Sequence, residues 1–495
     1  MDILNTLPAR ISDIPRRWAQ HAPQAHALHD GQRHWTYAEL AAAVDAAAAL
    51  LRRWQVRPGD RLAIVGENCV AQVVLSFAAA AIDAWIVHIN GRLSGREVDV
   101  VLRHSGARLA IYLPSPAGLE TAAHAQRHAA TPVPTPLGDW LLGALNPHCA
   151  PEPVHAAPER QVAALLYTTG TTGNPKGVML THRNLLFIAA VSSRLRGLTP
   201  DDRAWGVLPI THVYGLTSVM LGTLYAGACL YLCPRFTPDA LLQALHEHSL
   251  SIVQGVPAMY ARLLEKLGGA PQRLATQLRF AYAGGSPLSP DLKAKVEQLL
   301  GVPLHNGYGL TEAAPTVSQT RLDAPRSDNS VGHAIPGVEV RVEGGELWVR
   351  GPNVMRGYYR EPELTAAVLR DDGWLNTGDM VRQDADGALF IVGRSKELII
   401  RSGFNVYPLE VETVLNAHPA VTQSAVLGRA GADGDEDIIA FVEPDPRHPV
   451  TPAELAAWLA DQLAPYKRPS QIVIMPALPA AATGKILKSH LRQML

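Results

Sequence analysis

An apolar run, Val162-Ala-Ala-Leu-Leu-Tyr167, passes straight into Thr168-Thr-Gly-Thr-Thr-Gly-Asn-Pro-Lys-Gly177, and a helical pattern begins near Thr181. A buried strand, a glycine-rich loop and a helix in that order point to an α/β architecture. Thr181 suits the N-cap of the helix through Asn184-Leu-Leu-Phe-Ile-Ala-Ala-Val191. The loop carries three glycines, four threonines and Lys176. Glycines let backbone N–H groups close on an anion, threonine hydroxyls add donors, and lysine adds a point charge, so the loop suits phosphate. An ordinary turn needs neither the hydroxyls nor the lysine. It is not a Walker A loop: counted from Gly170, Pro175 stands where glycine is required and Gly177 where Ser or Thr would bind Mg²⁺.

Strand-like runs Arg61-Leu-Ala-Ile-Val65, Ala84-Trp-Ile-Val87 and Arg108-Leu-Ala-Ile-Tyr112 alternate with helical patterns over Tyr37 to Trp54 and Arg96 to His104. Such alternation predicts βαβ units and parallel sheets. Pro114 to Arg160 has weak periodicity and reads as a connection between two α/β subdomains; a second strand–helix series follows, from Val162 to about Leu300. From Val338 the texture changes to short β segments, Glu339 to Val342, Glu346 to Val349 and Ala388 to Val392, which predict a small β-barrel or sheet closing a large domain. The expected organisation is an N-terminal domain over 1–393, a hinge at 394–396 and a small mobile α+β domain over 397–495. In that last domain the pattern gives helices Pro408 to Asn416 and Pro452 to Gln462, and strands Thr422 to Leu427, Asp437 to Val442 and Gln471 to Met475.

At 495 residues the chain exceeds one comfortable core, so more than one domain is expected. A net charge of −1 argues against a nucleic-acid partner bound by phosphate neutralisation. Cys69, Cys149, Cys229 and Cys233 have no metal-type spacing and read as free thiols. The stretch Val73 to Ile89 carries Ser76, Asp83 and His88, and suits a buried helix running into a strand better than a membrane span. With no secretory signal at the N-terminus, the expected location is the cytoplasm, as a monomer or homodimer. Only eight lysines occur, and Lys176 is the first.

Further motifs carry chemistry. In His305-Asn-Gly-Tyr-Gly-Leu-Thr-Glu-Ala313 the glycines beside Tyr308 would let its ring lie flat on a base, while Thr311 and Glu312 offer oxygens to a hard cation. Leu375-Asn-Thr-Gly-Asp379 presents one carboxylate, the usual partner for two vicinal ribose hydroxyls. His212 follows an apolar run in Trp205-Gly-Val-Leu-Pro-Ile-Thr-His212. Lys467 and Arg468 supply two cations suited to a thiol-bearing nucleotide tail, and Lys485 sits on a glycine-flexed turn, Thr483-Gly-Lys485.

Taken together these segments resemble the adenylate-forming superfamily, in its acyl- and aryl-CoA synthetase branch. At least six motifs fall in the superfamily's order, starting as early as His34-Trp-Thr-Tyr-Ala-Glu-Leu40. The resemblance implies that Thr168, Thr169, Gly170, Thr171, Thr172, Gly173 and Lys176 cradle the phosphates of ATP. It implies an adenine site from Gly284, Gly285, Ser286, Pro287, Asn306, Gly307, Tyr308, Gly309 and Thr311. Asp379 would bind the ribose, with Arg394 nearby. Glu312, assisted by Thr168, would hold Mg²⁺, and Lys485 would be the catalytic lysine. An acyl pocket is implied from Val191, His212, Val213, Gln254, Ala283, Gly307 and Ala314. Gly403, Lys467 and Arg468 would serve CoA, and Lys396 would be the hinge pivot.

The expected reaction joins a carboxylic acid to CoA through an acyl adenylate, releasing AMP and diphosphate. Charge building on the phosphoryl oxygens would be met by Lys485, Lys176 and Mg²⁺ on Glu312. His212 is expected at the wall of the carboxylate pocket and not as a base, because the acid is already ionised at neutral pH. Small residues at 307 and 314, with the amide of Gln254, predict an aromatic or medium-sized acid with a polar substituent. Two alternatives are an adenylating enzyme that loads a separate carrier protein, and a non-catalytic acyl-nucleotide sensor. Retention of Lys176 and Lys485 in a lysine-poor chain speaks against the sensor.

Overall fold

The computed structural model describes residues 3–115, 118–169, 175–268, 272–401, 404–430, 436–481 and 485–495. Two large sheets form its N-terminal part. The first has eight strands, with Leu109–Tyr112, Arg61–Gly66, Trp85–Asn90 and Val162–Thr169 running parallel at its centre. Buried on both faces, these strands read as continuous apolar runs. Helix Val70–Ala81 packs among them with nearly every residue buried, which explains an apolar stretch that leads on into strand Trp85–Asn90. Helix Tyr37–Arg53 starts at a capping box made by Thr36 and Glu39.

Three features of this region depart from the expectation. The interval after Pro114 is not merely a connection: helix Glu120–Arg127 and the hairpin Thr131–Thr135/Gly138–Leu142 extend the first sheet beyond Leu109–Tyr112. Thr131–Thr135 is the outermost strand, where Pro132 and Pro134 are tolerated because no neighbour needs their missing donors. Second, Pro175–Thr181 is itself a strand, antiparallel to Val162–Thr169, so a strand stands between the Gly/Thr segment and helix His182–Leu195. Thr181 caps that helix through a reciprocal pair with Asn184, as expected. Third, the segment after His212 is a π-helix, Tyr214–Leu221, continuing into Gly222–Tyr225.

The second sheet has nine strands. Cys229–Leu232, Arg203–Gly206, Ile252–Gly255, Phe280–Ala283 and Leu304–Gly309 are parallel, and Thr316–Gln319 then pairs antiparallel. Its far edge comes from the start of the chain, where His26–His29 pairs parallel with Cys229–Leu232. One hydrophobic core runs through both sheets, joining Ile64 and Ile86 of the first to Ile252 and Phe280 of the second.

A four-stranded antiparallel sheet, Glu339–Glu343, Glu346–Arg350, Leu375–Gln383 and Leu389–Arg394 in that order, occupies the place expected for the small barrel. Beyond it, antiparallel strands Val421–Ala430 and Glu436–Pro444 and parallel Gln471–Ile474 pack against helices Pro408–Asn416 and Pro452–Ala460. These elements enclose a core of their own, with Val411, Leu415, Val426, Ile438 and Leu455 at its centre. Among the described residues no helix is long and apolar enough to cross a membrane, and the four cysteines are free. Burial pushes the thiols of Cys229 and Cys233 up to about 12 and 11.

Candidate active site

Loops at the C-terminal ends of the parallel strands carry most of the chemistry, the usual place for a ligand in such sheets. Near the end of strand Val162–Thr169, Thr168 lies in register opposite Lys176 on the returning strand. Gly170, Thr171, Thr172 and Gly173 lie outside the described residues, as does the side chain of Thr169. The Lys176 ammonium sits 4.9 Å from the centre of the Tyr358 ring. Tyr358 in turn donates its hydroxyl to Glu312 Oε1 at 2.8 Å. Burial and the neighbouring carboxylate raise the Tyr358 pKa, so it remains a phenol and a donor. Glu312 is fixed on the 3₁₀ turn Thr311–Ala313, whose position is set by the Met355 N–H bonding to the Glu312 carbonyl at 2.8 Å.

Tyr358 was not a sequence candidate. It lies on the two-residue strand Gly357–Tyr358, paired with Val178 and Met179 just after Lys176. The only local signal is a pair of adjacent tyrosines, which by itself reads as core.

A second cluster forms where the nine-stranded sheet meets the four-stranded one. Tyr308 donates its hydroxyl to Asp379 Oδ2 at 2.5 Å, and Arg394 Nε donates to Asp379 Oδ1 at 2.9 Å. Asp379 and Arg394 face each other in register on neighbouring strands, and Asp379 is 3 % exposed. Burial, then the Asp379 charge, raises the Tyr308 pKa. Asn306 has a supporting part: its amide donates to the carbonyls of Asn329 and Ser330, and its Oδ1 accepts from the Gly307 N–H. Gly284, Gly285, Ser286 and Pro287 follow strand Phe280–Ala283. Gly285 has φ +79°, a conformation that favours glycine, and a Cβ on Gly284 would stand 3.1 Å from the Tyr214 ring.

His212 and Lys485, far apart in the chain, come within electrostatic reach of each other here. The Tyr214 N–H donates to His212 Nδ1 at 3.3 Å, which leaves Nε2 to carry the ring proton. Burial, then the charge of Lys485, pushes His212 down to about 4, so the ring is neutral at pH 7. The Lys485 pKa is itself lowered, by burial and then by Arg394, against the opposing charges of Glu397 and Asp379. Although Lys485 keeps an exposed side, its ammonium is thus within electrostatic reach of both the Asp379–Arg394 pair and His212. Lys396 lies on the 3₁₀ turn Ser395–Glu397. Next to it, Glu397 takes an ion pair from Lys488 at 2.8 Å, and Lys488 also reaches Glu412 at 2.9 Å.

Val191, Val213, Gln254, Ala283 and Ala314 are buried, and Gly307 adjoins Gln319, whose Cβ would be 3.4 Å from a Cβ at 307. Gln254 Oε1 accepts from Arg196 Nη1 at 2.5 Å, so the amide meets a buried guanidinium that sequence reading missed. Of the CoA candidates, Lys467 and Arg468 lie beside the hairpin Ile399–Arg401/Phe404–Val406: Arg401 donates to the Arg468 carbonyl and Phe404 stacks on Tyr466. Lys467 is ion-paired to Glu410 at 2.5 Å, Arg468 donates to the carbonyls of Leu463 and Ala460 at the end of helix Pro452–Ala460, and Gly403 lies outside the described residues.

Two family models match the chain. That of the AMP-binding enzyme matches residues 15–359, and that of the AMP-binding enzyme C-terminal domain matches residues 410–485. The chain belongs to the AMP-binding enzyme family. Within this adenylate-forming family it is an AMP-forming acid–CoA ligase, as its relatives indicate. It is 36% identical over 493 residues to a feruloyl-CoA synthase of Amycolatopsis sp, covering 97% of this chain and 98% of that one. It is 31% identical over 544 residues to 4-coumarate–CoA ligase 2 of Oryza sativa subsp. japonica, covering 100% and 94%. Among solved AMP-binding enzymes, the ATP-bound MatB of Rhodopseudomonas palustris superposes with a TM-score of 0.83 at 30% identity over 98% of each chain.

Proposed function

We propose that the ligase activates an aromatic or medium-sized carboxylic acid bearing a polar substituent, and that CoA is the acceptor of the acyl group. The observation that carries this reading is the convergence of Lys485, His212 and the Tyr308–Asp379–Arg394 network beside a mostly apolar wall containing Gln254. In the first step an oxygen of the substrate carboxylate attacks the α-phosphorus of ATP. The bond to the β,γ-diphosphate breaks and diphosphate leaves. Lys485 and Lys176 stabilise the charge that builds on the phosphoryl oxygens, and the neutral His212 ring offers Nε2–H to the carboxylate without competing for a proton. Asp379 keeps lone pairs for the ribose hydroxyls beyond those used by Tyr308 and Arg394. In the second step the CoA sulfur attacks the acyl carbonyl carbon, the thiol proton is lost, and AMP departs with the electron pair of the broken C–O bond.

The donor set fits Mg²⁺. Glu312 has one oxygen bonded to Tyr358 and its second takes no hydrogen bond from a described residue, while Thr168 lies in register opposite Lys176, whose ammonium is over the Tyr358 ring. Among the described residues no group of three His, Cys, Asp or Glu could hold a metal. A single carboxylate with a hydroxyl is the sparse protein set that Mg²⁺ uses when substrate phosphates complete its shell. Bound there, Mg²⁺ would neutralise charge on the phosphates.

The boundaries 1–393, 394–396 and 397–495 belong to this reading, with Lys396 as the pivot on which the C-terminal part turns between steps. Gly403, Lys467 and Arg468 would meet CoA only after that turn, which requires Lys467 to leave Glu410. A separate carrier protein is the alternative acceptor. Diphosphate release is the decisive assay, run on a panel of acids and then completed with either CoA or a carrier protein. Acid-dependent release followed by acyl-CoA is expected; acyl transfer to the carrier alone would refute the CoA assignment.

A further inference from the structure

Arg196 ends helix His182–Leu195 and points into the protein, with 3 % exposure. No carboxylate among the described residues lies within ion-pair distance of it. Its neighbours are Gln254 Oε1, the more distant Gln319 Oε1 at 3.5 Å, the Ser218 carbonyl at 3.4 Å, and the Tyr282 ring, whose centre is 4.5 Å from the guanidinium carbon. Gln254, Gln319 and Tyr282 are equally buried. Arg196 Nε, Gln254 Nε2 and Gln319 Nε2 are all buried donors without a hydrogen-bond partner.

Three unpartnered N–H groups around one uncompensated charge make an arrangement that protein alone leaves unsatisfied. The strand register puts it against the acyl wall. Gln254 pairs with Tyr282, Tyr282 with His305, and Gly307 with Gln319, so these residues share one face of the sheet. On that face Gly307 presents no side chain.

We infer that Arg196, Gln254 and Gln319 form an acceptor-binding floor to the acyl pocket, so that the preferred acid carries a second carboxylate at its far end. The inference rests on the ligase reading and narrows its substrate class. An amine would add donors to donors, and an apolar end would leave all three unpaired. A hydroxyl could accept only from part of the set. A carboxylate supplies the missing charge and about four lone-pair directions, matched to the guanidinium fork. A ketone satisfies the donors without the charge and ranks second.

The test compares matched acids, aryl and alkyl series of graded length, whose far end is either carboxylate or methyl. Diphosphate release gives kcat/KM for each. Wild-type enzyme should favour the dicarboxylate member by about tenfold or more at the best length, the scale of a charge-assisted pair. Arg196→Met should bring that ratio to one or below, and Arg196→Lys should keep part of it. A wild-type preference for the methyl member at every length overturns the proposal, as does a dicarboxylate preference that survives Arg196→Met. If that variant does not fold, Gln254→Leu takes its place, and an unchanged ratio there is equally fatal. Release with methyl acids alone defeats only this proposal, whereas no release with any acid defeats the ligase reading beneath it.

Discussion

Lys485 illustrates what a single residue contributes here. Removing its charge by Lys485→Ala should slow acyl-adenylate formation by about 10²–10³-fold, the usual cost of one lost transition-state donor. Thioester formation from supplied acyl adenylate and CoA should stay near wild type; parallel loss in both steps would contradict the assignment. Because its pKa is lowered, Lys485 surrenders its proton at a lower pH than an ordinary lysine. Diphosphate release should therefore fall early on the alkaline side, and Lys485→Arg should carry that limb to higher pH even where it lowers the maximum rate. Tyr358 makes a second residue-level case. Tyr358→Phe removes the donor that orients Glu312 and should raise the Mg²⁺ concentration for half-maximal rate by roughly tenfold, as loss of such an outer partner does at metal sites. A requirement unchanged within error would show that the hydroxyl has no such part. Lys485 was legible because a motif surrounds it. Tyr358 and Arg196 were not, since each reads in sequence as core or surface and gains meaning only from a partner far along the chain.

Elements were legible where burial alternates over a long enough stretch. Helix Pro408–Asn416 and strand Gln471–Ile474 follow their patterns closely because one face of each packs on the small core. Strand Pro175–Thr181 was hidden: it starts with Pro-Lys-Gly and alternates over only a few residues before the helix. The π-helix Tyr214–Leu221 was equally hidden, because an apolar run has no periodicity that separates a wide helix from a strand. The cap of helix His182–Leu195 offers a direct measurement. Thr181→Ala should lower stability by about 1 kcal/mol in denaturant unfolding, and no change would mean that Asn184 caps alone. At the turn Ser395–Glu397, Lys396→Pro fixes φ at the proposed pivot. Adenylate should still form and accumulate while CoA-dependent turnover collapses; equal slowing of both half-reactions in single-turnover assays would remove Lys396 from that role.

For the molecule as a whole, the buried histidines set an acid limit. His88 and His182 are both pushed down to about 3 by burial, from an ordinary 6.5, and His182 Nδ1 accepts the Ile11 N–H at 3.2 Å. Below pH 6.5 the unfolded chain binds protons that the native state refuses, so their contribution is complete above that pH and fades as pH falls towards 3. Tm should drop steadily from pH 7 to pH 5, and His182→Gln, which retains an acceptor, should flatten the slope; an unaltered slope would assign it to other groups. A different consequence follows from strand His26–His29, which lies between the edge strand His34–Thr36 and Cys229–Leu232. Its parallel neighbour Cys229–Leu232 emerges from the ribosome some two hundred residues later, after the whole central part of the other sheet has been made. During synthesis the hairpin His26–His29/His34–Thr36 must therefore wait for its parallel neighbour, and closing so long a loop is slow. Successful biogenesis of this enzyme hinges on shielding an early β segment, and a chain cut before residue 229 should be retained by holdase chaperones while the complete chain is released.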